Sequence, residues 1–155
     1  MKKISIGSWA YTIGPYQDNP IPWEEVCTKL KALGFDGVEI GGFGIHPNPD
    51  NHPTKDDRAK LKAYMKDLGL GMSGFVPNLW GEKLINTEDT TPYVEAFTKG
   101  AEFASDLGVA GVRVDCVQPP TILDEMDEDT ARKRVVSTWK KCSKIAADKG
   151  CYVTW

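Results

Sequence analysis

The chain has 155 residues, of which 41% are hydrophobic and 26% are charged, and its formal net charge is −3. This length and composition are typical of one globular domain and exclude a disordered tail. A weakly acidic chain without a basic cluster is a poor candidate for binding nucleic acid or anionic membranes. No apolar run reaches the roughly 18 residues of a membrane span, and the first residues predict no signal peptide.

The predicted strands and helices alternate along the chain. Strands are predicted at residues 3–8, Gly37–Gly41, Gly71–Val76, 111–116 and 151–155, from β-branched and aromatic residues. Helices are predicted to begin at Pro22, at Thr54 with Asp57 in a capping box, at Thr91 and near Asp127. The predicted apolar faces are, in chain order, Trp23, Val26, Leu30 and Leu33; Leu61, Tyr64, Met65 and Leu68; Val94, Phe97, Ala101 and Ala104; Val135, Trp139, Cys142 and Ile145.

A glycine follows each predicted helix and comes shortly before the next strand. These are Gly34, Gly69, Gly108 and Gly150, and at each we expect the left-handed conformation that ends a helix. The repeated unit is therefore helix, glycine cap, short turn and strand. Such a repeat predicts βα units and a parallel sheet.

The predicted loops are much longer at one end of the sheet than at the other. About two or three residues lead from each helix to the next strand, whereas the loops after the strands cover residues 9–21, 42–53, 77–90 and 117–126. Ligand sites of α/β folds lie on the loops that follow the strands. The length of these loops therefore predicts a ligand site at the end of the sheet where they lie. The alternative is that the long loops are tolerated and have no function.

The chain holds four βα units and ends inside a fifth predicted strand. A complete (β/α)8 barrel needs about 250 residues, so the fold is predicted to be the first half of a TIM barrel that ends in strand 5. The alternative is a complete five-stranded flavodoxin-like sheet. Residues 1–155 are accordingly expected to be either a single α/β domain or the truncated half of a barrel.

Three segments resemble the xylose-isomerase-like TIM-barrel superfamily of sugar phosphate isomerases and epimerases. They are residues 3–9 (KISIGSW), 33–40 (LGFDGVEI) and 106–114 (DLGVAGVRV), and the second is similar to the second barrel strand of that superfamily. The resemblance covers the whole chain but only the amino-terminal half of the superfamily fold. It implies isomerisation or epimerisation of a small sugar, or of a related polyol or keto-acid.

The resemblance also implies a divalent metal, Mn, Mg, Zn or Co, in the full-length family member. Its carboxylate and histidine ligands are expected at the ends of strands five to eight, so none can be assigned within residues 1–155. The fragment alone is then expected to be inactive. Dehydratases and an endonuclease branch share the superfamily, and the acidic charge argues against the endonuclease.

Two alternatives come from other classes of protein. One is a non-catalytic α/β domain that binds a small ligand, and the other is a half-barrel that pairs with a second copy to form a homo-oligomer. Under each enzyme hypothesis the binding partner is a small sugar-like molecule, and binding to nucleic acid or to a membrane is not expected. The four scattered cysteines, Cys27, Cys116, Cys142 and Cys151, are expected to be free, buried thiols of a cytoplasmic protein.

Charged residues in two predicted strands are the first candidates for a substrate site. Glu39 stands between Val38 and Ile40, where an unpaired carboxylate would be costly. Arg113 and Asp115 share one face of the fourth strand, so Arg113 is predicted to pair with Glu39. The alternatives are a polar layer that holds a sugar and a purely structural ion pair.

Aromatic residues after the strands are the second group of candidates. Trp9 follows the first strand, and Asn78 and Trp80 follow the third; aromatic rings beside polar groups can form the walls of a sugar pocket. Plain loop packing is the alternative. His46 and His52 have no zinc-site spacing and are predicted to be solvent-exposed, and the acidic run at residues 124–129 is predicted to charge a helix start.

Several chemistries are excluded by the absence of their motifs. The sequence contains no GxGxxG after the first strand, no GxxxxGK[ST] and no GxSxG. Dinucleotide binding at the first strand, P-loop phosphate binding and nucleophile-elbow hydrolysis are therefore not predicted.

Overall fold

The computed structural model describes residues 2–116 and 126–155. Within them, five strands alternate with four helices, as the glycine repeat predicts. The strands are β1 (Ser5–Gly7), β2 (Gly37–Gly41), β3 (Gly71–Val76), β4 (Gly111–Arg113) and β5 (Tyr152–Thr154). The helices are α1 (Trp23–Ala32), α2 (Lys55–Leu68), α3 (Thr91–Leu107) and α4 (Glu128–Asp148).

The strands form one parallel sheet in the order β1-β2-β3-β4-β5, so each strand pairs with the next one along the chain. A barrel is built from neighbours in this sequential order, whereas a flavodoxin-like sheet has the order 2-1-3-4-5. The first half of a TIM barrel is therefore confirmed, and the flavodoxin-like alternative is wrong.

Three of the strands are shorter than predicted. β2 and β3 have the predicted bounds, but β1 ends at Gly7, because the chain turns at Ser8 into a short 3-10 helix, Ser8–Tyr11. β4 ends at Arg113 and meets β3 at a single residue pair, Phe75 with Val112. β5 lies at the sheet edge and has a ladder partner only in β4. The predicted strands extend beyond Gly7 and Arg113, but the residues beyond them are not paired in the sheet.

The two faces of the sheet have opposite characters. Val38, Ile40, Phe75 and Val112 are fully buried and pack against helix residues such as Phe97. Because strand side chains alternate, the residues between them point to the other face, which we call the open face. The open face includes Gly7, Glu39 and Gly74, which pair across β1, β2 and β3, and Arg113 and Thr154, which pair across β4 and β5.

The helix starts and caps follow the predicted signals. Thr54 and Asp57 form a reciprocal capping box on α2, and Asp127 caps α4 by accepting from the Thr130 amide. The acidic residues 127–129 of the predicted run thus stand at a helix start, while Asp124 and Glu125 lie outside the described residues. All four cap glycines have positive φ, between 66° and 83°.

Most residues of the predicted helix faces are buried or half-buried, and Leu33 is the exception. Leu33 follows the last residue of α1 and is 62% exposed, because it lies past the last turn that packs on the sheet. The four cysteines are free, as predicted, and Cys27, Cys142 and Cys151 are buried, whereas Cys116 is half-buried. Burial raises the pKa of both Cys27 and Cys142 to about 12, so both thiols stay protonated at neutral pH.

None of the helices in the described parts of the chain is long and apolar enough to cross a membrane.

Candidate functional site

Four of the predicted site residues meet on the open face, where the strands end. We call Trp9, Glu39, Arg113 and Asp115 the polar layer. Trp9 lies in the 3-10 turn after β1, Glu39 is the third residue of β2, and Arg113 ends β4. Asp115 is two residues past Arg113, so strand alternation places both side chains on one face.

Hydrogen bonds and ion pairs connect all four members of the polar layer. The Trp9 indole N–H donates to Glu39 Oε2 at 3.2 Å, and Arg113 Nη1 lies 3.9 Å from the same oxygen. Arg113 Nε and Nη2 each lie 3.2 Å from Asp115 Oδ1. The guanidinium carbon is 5.9 Å from the centre of the Trp9 ring. The predicted pair of Glu39 with Arg113 is present, and Asp115 is the closer partner.

The polar layer is partly buried among the residues that the structure describes. The side chains of Arg113, Glu39 and Asp115 are 32%, 26% and 13% exposed. One guanidinium and two carboxylates give the layer a formal charge of −1. It therefore presents charged hydrogen-bonding groups on the open face, and a polar ligand site uses such groups for orientation and specificity.

Two glycines make room for Trp9, and the sequence analysis did not identify either of them. A Cβ on Gly7 would lie 2.0 Å from Trp9 Nε1, so the indole packs directly on the backbone of β1. A Cβ on Gly41 would lie 2.7 to 2.9 Å from the Trp9 Cβ, N and Cα atoms. Only glycine allows such a close approach. The position of the indole N–H beside Glu39 therefore depends on both glycines.

His46 is completely buried, so the prediction that it is exposed is wrong. Its Nε2 lies 2.9 Å from the carbonyl oxygen of Ile21, and its Nδ1 lies 3.1 Å from Ser8 Oγ. A carbonyl only accepts, so Nε2 carries the proton and the neutral ring accepts from the Ser8 hydroxyl. Ser8 Oγ in turn accepts the Gly41 N–H at 2.9 Å. The buried ring thus joins the ends of β1 and β2 to their loops.

The burial of His46 predicts a dependence of stability on pH. Desolvation by burial lowers its pKa, while the Ile21 carbonyl and Glu24 act in the opposite direction. The folded ring stays neutral at a pH where an unfolded histidine, with a pKa near 6.5, takes up a proton. Because the unfolded state then binds more protons, the free energy of unfolding falls as the pH drops from about 7 to about 5.

We expect His46→Gln to make this pH dependence shallower, since glutamine does not titrate. The measurement is urea denaturation of both proteins at several pH values in that range. A remaining slope is expected, because burial also lowers the pKa of the half-buried His52. Equal slopes for the variant and the parent protein would contradict the assignment of His46.

Tyr93, which is buried, and Trp139, which is half-buried, hold the backbone beside the polar layer. The Tyr93 hydroxyl donates to the Asp115 carbonyl oxygen at 2.7 Å and accepts the Trp139 indole N–H at 3.1 Å. Burial raises the pKa of Tyr93, so the hydroxyl remains a donor. The helical spacing predicts Trp139 in the core, and no sequence motif gives either residue a role at the site. Their contacts bridge elements far apart in the chain, and no local pattern indicates them.

Asn78 and Trp80 lie at the same end of the sheet, but their contacts are not with the polar layer. Trp80 is 45% exposed, and its ring centre is 5.3 Å from that of Phe43 in the loop after β2. Asn78 is exposed and lines a separate cleft of about 660 Å³ between the loops after β2 and β3 and helix α3. The structure therefore brings together four of the six predicted residues.

The described residues do not fit a metal centre. In residues 2–116 and 126–155 no three His, Cys, Asp or Glu side chains come close enough to hold an ion. Glu39 and Asp115 are the carboxylates of the polar layer, but the Arg113 guanidinium lies against both of them. A divalent cation there would meet a like charge.

Comparison with known proteins identifies the fold independently. The family model described as xylose isomerase-like TIM barrel matches residues 27–154. No curated protein sequence matches the chain. The resemblance found in the sequence is thus confirmed at the level of the family.

Solved structures of sugar epimerases and related enzymes have the same fold. A D-psicose 3-epimerase with D-tagatose, from Clostridium cellulolyticum H10, is 17% identical and has a TM-score of 0.66. The match covers 98% of this chain and 51% of the epimerase chain. A sugar phosphate isomerase/epimerase from Parabacteroides distasonis is 16% identical with a TM-score of 0.67, covering 98% and 50%. A probable 3-DHS dehydratase from Bacillus anthracis is 16% identical with a TM-score of 0.70, covering 98% and 51%. The chain thus spans about half the length of these proteins.

Proposed function

The chain belongs to the xylose isomerase-like TIM barrel family, and from this premise we propose that it is the first half of a sugar isomerase or epimerase. The proposed substrate is a small sugar, or a related polyol or keto-acid. The polar layer holds that substrate, and Asn78 and Trp80, which lie at the same end of the sheet but outside the layer, contact the part of it that extends beyond the layer. The protein acts in the cytoplasm.

The observation that carries this proposal is the polar layer itself. Three charged groups and an indole converge at the end of a parallel sheet where barrel enzymes bind their substrates. The open face, which carries these groups, is the side of the sheet that faces the interior in a closed barrel. Burying charged groups costs desolvation free energy, so a role in binding gives a reason for placing three of them there.

The chemistry assigned to these residues is binding and orientation. Glu39 and Asp115 accept hydrogen bonds from sugar hydroxyls, and the Trp9 ring offers an apolar wall to the C–H face of the sugar. Arg113 lies against both carboxylates and holds them in place. Holding the sugar in one orientation is what makes proton transfer next to its carbonyl efficient.

A divalent metal, Mn, Mg, Zn or Co, belongs to the proposal for the full-length protein. The residues that the structure describes do not fit its ligand set, as shown by the Arg113 guanidinium between the two carboxylates. We therefore assign these residues to the substrate alone.

The test is an exchange assay on the full-length protein. The protein is incubated with D-fructose or D-tagatose in D2O, with Mn²⁺ added, and NMR follows the hydrogens next to the carbonyl. We expect deuterium to replace one of these hydrogens and an isomer or epimer to accumulate. Glu39→Gln should slow the reaction, whereas Glu25→Gln, on the exposed face of α1, should not. Absence of exchange with a panel of ketoses and aldoses would overturn the proposal.

A further inference from the structure

We propose that the polar layer receives an uncharged, hydroxyl-bearing part of the substrate and discriminates against a phosphate ester at that position. This inference rests on the proposed function, because it specifies which sugars the same site accepts. It follows from the contacts of Arg113, which is the only cation of the polar layer.

All three nitrogens of the Arg113 guanidinium lie within 4 Å of a carboxylate oxygen. Nε and Nη2 lie at 3.2 Å from Asp115 Oδ1, and Nη1 lies at 3.9 Å from Glu39 Oε2. The guanidinium carbon lies over the Trp9 ring, 5.9 Å from its centre. Phosphate recognition needs a guanidinium that can offer two parallel N–H groups. To bind phosphate here, Arg113 would have to leave its present partners.

The carboxylates outnumber the cation, and this makes the layer an acceptor surface. Among the described residues, Glu39 and Asp115 form ion pairs with Arg113 and with no other Lys or Arg. Glu39 accepts its hydrogen bond at Oε2 and Asp115 accepts at Oδ1, and within residues 2–116 and 126–155 nothing donates to the second oxygen of either carboxylate. A sugar hydroxyl can donate to such an oxygen, whereas a phosphate dianion has only acceptors and carries the same charge sign.

The space beside Glu39 also suits a hydroxyl group. The neighbouring residue in β3 is Gly74, and a Cβ there would lie 3.3 Å from Glu39 Oε1. With glycine at this position, that oxygen is not covered by a side chain from β3. The Trp9 indole supplies an adjoining apolar surface. An acceptor beside an aromatic wall is complementary to an unmodified sugar ring or chain.

The test compares three ligands of the full-length protein by calorimetry: D-fructose, D-fructose 1-phosphate and D-fructose 6-phosphate. The two esters carry their phosphate groups at opposite ends of the sugar. When the ketose binds in one orientation, the phosphate group of one ester lies against the polar layer. We expect at least one ester to bind tenfold or more weakly than D-fructose. In the double variant Glu39→Gln, Asp115→Asn, that same ester should regain at least tenfold relative to D-fructose, because Arg113 loses its anionic partners.

The outcomes separate this inference from the proposed function. If both esters bind the parent protein at least as tightly as D-fructose, the inference is overturned while a sugar site remains. If the double variant folds, by circular dichroism, and restores neither ester, the charge argument is overturned. If none of the three ligands binds, the proposed function fails together with the inference. The single variant Glu25→Gln should leave the ratios unchanged.

Discussion

Replacing Arg113 with methionine is expected to lower kcat/KM of the full-length protein for its sugar substrate by about 100-fold or more. Methionine fills similar space but removes the cation that holds Glu39 and Asp115 in register, at 3.9 and 3.2 Å. Two partly buried carboxylates would then repel each other and move apart. The measurement is steady-state kinetics on the parent and variant proteins.

The control for Arg113→Met is Arg132→Met. Arg132 also pairs with an aspartate, Asp129, but this pair lies on the surface of α4, and the Arg132 side chain is 65% exposed. Exposed pairs contribute little, so the control should keep its activity and its unfolding temperature. A change in kcat/KM of less than about twofold for Arg113→Met would leave the ion pair with a structural role only.

Replacing Gly41 with alanine is expected to destabilise the protein by about 3 kcal/mol, the upper part of the range for overpacking. The new Cβ would meet the Trp9 backbone nitrogen at 2.8 Å and Cα at 2.9 Å. Backbone atoms cannot rotate away, and the Gly41 amide is also bound to Ser8 Oγ. Trp9 must therefore shift, which weakens its hydrogen bond to Glu39. Chemical denaturation measures the loss of stability.

Gly81→Ala provides the matched control for Gly41→Ala. A Cβ on Gly81 would have no atom within 4 Å, and the φ angle of Gly81 is not positive. The same chemical change should then be neutral or slightly stabilising, by up to about 1 kcal/mol. If both alanine variants were equally stable, the close packing of Trp9 on Gly41 would be refuted.

Local patterns in the sequence were sufficient for the order of the elements. A glycine cap needs only the helix before it, and a capping box needs only four consecutive residues, so Gly69 and the pair of Thr54 with Asp57 were identified correctly. β2 and β3 were bounded correctly because both have ladder partners along their length. The predicted strand length was wrong where the pairing between strands ends early, as at Arg113 in β4.

The polar layer was partly predictable because alternation fixes the face of each strand residue. Arg113 and Asp115 are two residues apart, and Glu39 is a charge inside an apolar strand, so their meeting follows from a parallel sheet. The supports of the layer were not predictable in this way. His46 is bonded to Ser8 and Ile21, which lie 38 and 25 residues away in the chain.

The hydrogen bonds of Tyr93 have the same long-range character, since they link α3 to α4 and to the end of β4. A histidine in a loop rich in proline and asparagine is expected to be exposed when no hydrogen-bond partner is near it in the sequence. The partners of His46 come close only in the folded chain. The sequence does offer one signal that was missed. Gly7 and Gly41 are two glycines at strand positions that Trp9 approaches closely, with its ring at Gly7 and with its backbone and Cβ at Gly41.

The most direct measurement is a crystal structure of the full-length protein with D-tagatose bound. We predict sugar hydroxyls within hydrogen-bonding distance of Glu39 and Asp115, with the Trp9 ring beside the C–H face of the sugar. Arg113 should keep both of its carboxylate partners. A sugar bound elsewhere, with the polar layer untouched and unchanged, would contradict the assignment of this layer as the substrate site.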